Sequence, residues 1–188
     1  MIHSMANTQR PLSTEELRVT KAWYYMGMEF LAAARVLRQT QGGIAKAAHA
    51  PDSSEAGLSA KLSSGLAIMV CLAYGTEALL KGLGKVAGIE PEKTHDQLEL
   101  IDHIANKERL FPFREVAEQL GAWTKDLRYP AETGINEGWL VKPERGETAW
   151  EYACALQQLL MGKLKDNGAE LEQWNLASVD QPLMGIST

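Results

Sequence analysis

Only two cysteines and three phenylalanines occur in these 188 residues. Cys71 and Cys154 each sit in an apolar helical pattern. Both read as buried free thiols, with a disulfide between them as the alternative. Positive charge is also scarce, with 19 Lys and Arg against 24 Asp and Glu and a net charge of −5. Phosphate contacts drive nucleic-acid affinity, so this balance argues against broad non-specific binding and leaves room only for a local basic groove. The N-terminal run MIHSMANTQRPLS lacks the apolar core of a secretory signal. The most apolar run, 65–74, is too short to cross a bilayer. The expected location is the cytoplasm, with no membrane partner. No G-x-S-x-G and no glycine-rich phosphate loop occurs, and neither cysteine has an evident His partner. Nucleophilic catalysis is unsupported and no cofactor is implied. Internal repeats and period-two runs long enough for a sheet are missing too.

What remains is helical. With 45% hydrophobic and 23% charged residues, the chain suits one globular domain. Ser13 and Glu16 form a capping box, with Leu12 and Leu17 at the staple positions around it. The first helix then places Val19, Trp23, Met26, Phe30, Ala33 and Leu37 on one stripe, expected to face the core. Gly42-Gly43 is expected to stop it, and 40–61 reads as a long connection. A second, central helix is expected over about 64–87. It carries a small-residue row, Ala67, Cys71, Gly75, Ala78 and Gly82, that lets a neighbour approach closely. Thr94 and Gln97 read as a capping box for a third helix with core face Leu98, Ile101 and Ala105. A short helix from Pro112 turns Phe113, Val116, Ala117 and Leu120 inward and stops at Gly121. A second connection, 128–146, holds Trp139, a candidate stacking or partner surface. The last helix starts at Thr148, buries Ala149, Tyr152, Ala153, Leu156, Leu159, Leu160 and Leu164, and ends at Asn167-Gly168. The expected architecture is all-α: an antiparallel bundle of four core helices plus one short helix over 13–166, an N-terminal arm (1–12) and a weakly patterned tail (167–188) in which Trp174 can dock.

Polar residues collect at two places. Lys93, Thr94, His95 and Asp96 sit at a helix start, where free amides and the macrodipole attract anions. Arg128 and Tyr129 can approach them in a bundle. The competing reading is local: Thr94 caps, Asp96 complements the dipole, Arg128 pairs with an acid and Tyr129 packs. Glu77 and Lys81 stand four apart in the favourable order. Because that helix is apolar on most sides, Glu77 needs a partner, Lys81 or Arg128, or else contacts a ligand. His95, Glu99 and His103 share a face with Asp102 nearby, but it lies opposite the apolar one and paired E-x-x-H motifs are missing, so no metal is expected.

The order E…LK…G…KTHD, from Glu77 to Asp96, followed by Arg128-Tyr129-Pro130, resembles the HEPN superfamily, the higher eukaryotes and prokaryotes nucleotide-binding domain. That resemblance covers about 14–165 and implies a helical fold that commonly dimerises. It also implies a metal-independent ribonuclease motif, an Arg followed after four to six residues by a His. His3, His49, His95 and His103 have no such Arg before them. The resemblance therefore implies a catalytically degenerate module that binds a nucleotide, RNA or protein. A separate nucleotidyltransferase or toxin would be its partner in a defence or toxin–antitoxin pair. The expected state is a homodimer. The alternative is a divergent ribonuclease that uses His95 and Arg128, and a third class is a purely structural interaction protein.

Overall fold

A computed structural model describes residues 10–48, 55–90, 96–104, 107–128 and 143–171. Among them the fold is all-α, with no strand. In chain order come α1 (Thr14–Ala48), α2 (Glu55–Val86), α3 (Gln97–His103), a 3-10 helix (Lys107–Phe113), α4 (Arg114–Arg128) and α5 (Pro143–Asp166).

The start of α1 matches its sequence signal. Glu16 N donates to Ser13 Oγ at 3.3 Å and Ser13 N donates to Glu16 Oε2 at 2.8 Å, which closes the capping box. Its end does not match. The helix runs through Gly42 and Gly43 to Ala48, and α2 starts at Glu55, so the expected 40–61 connection contracts to 49–54, outside the described residues. Two glycines cost about 2 kcal/mol of helix propensity together, and the strong helix formers on both sides of them, Ala45 to Ala48 among them, offset this. α2 and α5 stop as glycine caps require. Gly88 and Gly168 both take φ +78. Ile89 N then bonds Gly84 O and Ala169 N bonds Leu164 O, the six-to-one closure that satisfies otherwise orphaned carbonyls.

The buried face of α1 is turned relative to the expected stripe. Thr20, Tyr24, Met28, Leu31, Ala34 and Arg35 are buried, whereas Met26 is 44% exposed and Trp23, Phe30 and Leu37 are half-covered. Gly27 decides this. A Cβ built there would stand 2.8 Å from Leu79 Cδ2 and 3.1 Å from Gly75 O; one built at Gly75 would stand 2.8 Å from Leu31 Cδ2. The two glycines let the backbones of α1 and α2 touch. Contacts Leu31–Gly75, Gly27–Leu79 and Trp23–Gly82 descend one helix as they climb the other, so the pair is antiparallel.

Helix α2 is the hub, packed against α1, α3, α4 and α5. The apolar window 67–86 has the length and composition to cross a membrane, longer than the run seen in sequence, and 72% of it is buried inside the protein. Gly82 meets Leu160 of α5 at 2.6 Å from an added Cβ. The small-residue row on α2 thus serves internal packing. One cluster of apolar side chains joins all the helices, and every expected core residue of α5 is buried in it.

Candidate functional site

The polar residues of α2 sit inside this hub. Thr76 Oγ1 donates to Leu72 O at 2.8 Å, which satisfies the hydroxyl within its own helix. Gln97, the first residue of α3 and fully buried, donates from Nε2 to Thr76 Oγ1 at 3.2 Å and to Ala73 O at 3.4 Å. Tyr152 OH of α5 donates to Gln97 Oε1 at 3.2 Å. Burial pushes the Tyr152 phenol well above its ordinary value, which keeps it a neutral donor. A side chain at Gly121 of α4 would press on Gln97, since an added Cβ lies 3.4 Å from Gln97 N. Four helices therefore meet at one buried amide, which fixes where α3 begins. Sequence reasoning took Gln97 only as a capping-box partner and missed this role. Gly121, expected as a helix stop, instead lies inside α4 and makes room for the amide. Those two residues together were the available signal.

One turn along α2, Lys81 Nζ stands 3.0 Å from Glu77 Oε1, with both side chains about 5% exposed. Lys81 Nζ also lies 5.3 Å from the centre of the Trp23 ring, where the π face favours a cation. Lys81 is thus a partner of Glu77, as its spacing leads one to expect; the Arg128 side chain lies outside the described residues. Neither charge reaches solvent to meet a large ligand.

Asp96 is exposed and is the N-cap of α3: its Oδ1 accepts from Leu98 N at 2.9 Å and Glu99 N at 3.2 Å. The expected Thr94 cap is thereby displaced by two residues. Those amides, which would attract an anion, are already occupied by a carboxylate. Lys93, Thr94, His95 and Tyr129 lie outside the described residues, as does Trp139. Arg128 is the last residue of α4, two turns and about 10 Å along the helix from Gly121. On the far side of α3, Asp102 pairs with Arg114 at 3.1 Å, and the hydrogen bond from that guanidinium holds its carboxyl below the usual range. Among the described residues no three His, Cys, Asp or Glu gather as a metal site would need. Both cysteines are free and half-buried. Burial pushes each thiol up, and with the Glu151 charge beside it Cys154 reaches about 11, so neither supplies a thiolate near neutral pH.

The remaining feature is a surface. Val19, Trp23, Met26, Phe30, Ala33 and Leu37 repeat at four and three residues along α1, with Met26 and Ala33 exposed and Trp23 and Phe30 bordering the α1–α2 seam. Phe30 stacks on Tyr74 of α2 with ring centres 5.5 Å apart. Val36, 41% exposed, extends the stripe at its solvent edge.

No protein-family model, curated protein or solved structure matches this chain.

Proposed function

We propose that the chain is a non-enzymatic, HEPN-like helical binding module whose working surface is the open stripe of α1, and that it docks a second copy of itself there. The observation that carries the reading is the seven-residue repeat left over after the core is filled, with Met26 44% exposed at its middle. Residues spaced in this way form a seam for another helix. The stripe is self-complementary when reversed. About a two-fold axis between Met26 and Phe30, Val19 faces Leu37, Trp23 faces the small Ala33, and Met26 faces Phe30. A strip about 27 Å long and about 11 Å wide, with Tyr74 at its border, offers ~300 Å² per copy, so two copies bury ~600 Å², the size of a weak, transient pair. A separate nucleotidyltransferase or toxin protein is the competing occupant of the same face.

Sedimentation velocity tests this. Wild type is expected to dimerise and Met26→Glu to weaken the dimer by about 100-fold or more, since a buried carboxylate without a partner is costly. Melting temperature should hold at concentrations too low for the dimer to form, because Met26 lies outside the core. A wild type that stays monomeric at about 100 µM, where even weak specific pairs form, would overturn the reading.

A nucleotide or RNA bound around Lys93 to Asp96 is the second reading, supported by the contact of Gln97, the first residue of α3, with Gly121 of α4. Titration with nucleoside triphosphates and short RNA is expected to raise the melting temperature, as any ligand selective for the folded state must. A flat titration removes this reading. Cleavage of the RNA that His95→Ala abolishes would instead mark the divergent ribonuclease using His95 and Arg128.

A further inference from the structure

We propose that Asn167 is a site of spontaneous modification, and that the change it undergoes unlatches the start of α1 from the end of α5. Neither the α1 stripe nor a second copy takes part.

The sequence supplies the reacting groups. Of the five asparagines, Asn7, Asn106, Asn136, Asn167 and Asn175, only Asn167 is followed by glycine. With no side chain on Gly168, its backbone nitrogen is free of steric cover and can attack the neighbouring Asn167 Cγ. The new N–Cγ bond closes a five-membered imide while the Cγ–Nδ2 bond breaks. Ammonia leaves with the proton given up by the Gly168 amide. Water then adds at either ring carbonyl and leaves aspartate or a β-linked aspartate. No oxidant or further reactant is needed.

The structure supplies a gate. Asn167 clasps two helices: its Oδ1 accepts from Leu12 N at 2.8 Å, and its Nδ2 donates to Lys163 O at 2.8 Å. Gly168 N donates to Lys165 O at 2.9 Å. Nucleophile and leaving group are both engaged in the closed clasp, so attack requires the last turn of α5 to open. Leu12, Lys163, Asp166 and Asn167 line a cavity of about 500 Å³ beside the clasp, which gives water a route to the ring.

The products cannot close the clasp again. Both lack the Nδ2 donor that Lys163 O accepts from, and both place a carboxylate at the C-terminal end of α5, where the helix dipole opposes it. The β-linked product also lengthens the backbone by one carbon before Gly168. That disrupts the turn in which Gly168 takes φ +78 and Ala169 N bonds Leu164 O at 3.0 Å. Opening admits the reaction, and the reaction then holds the clasp open.

The test incubates the full chain at mildly alkaline pH, where the amide nitrogen is the better nucleophile, and scores aspartate and β-aspartate by peptide mapping. In urea, Asn167 is expected to change before the other four asparagines. In the native chain it should change at least tenfold more slowly than in urea, because only the fraction with the last turn open reacts. Leu12→Pro removes the donor N–H and keeps an apolar side chain, so the native rate should rise about fivefold, the worth of one hydrogen bond. The modified chain, separated by its added negative charge, should exchange hydrogen faster at Leu17, whose N–H bonds Ser13 O at 2.9 Å, with exchange in α2 unchanged. A native rate equal to that in urea, a rate unmoved by Leu12→Pro, or unaltered exchange at Leu17 in the modified chain would each overturn the proposal.

Discussion

Gly75→Leu is expected to lower stability by about 3 kcal/mol, seen as a fall of roughly 10 °C in melting temperature for a chain of this size. An added Cβ at Gly75 meets Leu31 Cδ2 at 2.8 Å, Leu31 Cγ at 2.9 Å and Gly27 O at 3.3 Å. The side-chain atoms can shift, but the carbonyl belongs to a helix and cannot. Forcing a leucine into this contact pushes α1 off α2 along the seam that buries Tyr24, Met28 and Leu31. A gain in helix propensity of about 1 kcal/mol offsets only part of the loss. Gly162→Ala is the matched control. Nothing lies within 4 Å of an added Cβ there, so the propensity gain of up to about 1 kcal/mol should appear alone. Equal effects at the two glycines in thermal unfolding would show that the α1–α2 approach is looser than described.

Lys81→Met is expected to cost about 3 kcal/mol in denaturant unfolding, because it takes the ammonium away from the Glu77 carboxylate buried in the hub. The pair stands at 3.0 Å with both side chains about 5% exposed. Loss of the ammonium from the Trp23 face adds about another 0.5–1 kcal/mol. Much of the penalty comes from the buried carboxylate losing its neighbouring cation rather than from the worth of the bond. The double variant Glu77→Leu with Lys81→Met should therefore recover most of the stability, leaving a large coupling energy in the cycle. Additive single effects would mean that the two side chains do not share one desolvated site.

The all-α class was legible in the sequence because it needs only periodicity and caps. The Ser13 box, the Gly88 and Gly168 stops and the α5 core face all rest on local chemistry. The glycines inside helices were harder to read. Gly42, Gly43 and Gly121 resemble stops, yet the chain passes through each as helix. A glycine that ends a helix and one that admits a neighbour have the same letter, and only the partner (Gln97 for Gly121) tells them apart. The α1 face was misread for a related reason. That helix is apolar on two sides about 120° apart, and periodicity cannot say which one meets α2. Gly27 settles it through a contact 48 residues away in sequence. Of the polar residues singled out, the Glu77–Lys81 pair follows from spacing alone. The buried amide of Gln97 depends on four helices converging, which no single window of sequence contains.

The convergence of α1, α3, α4 and α5 on α2 restricts how this lineage can drift. A helix buried over most of residues 67–86 has few positions there where a substitution goes unnoticed, so novelty must enter elsewhere. The outer side of α1 and the corners between helices are the places where selection can write a new task without first rebuilding the protein.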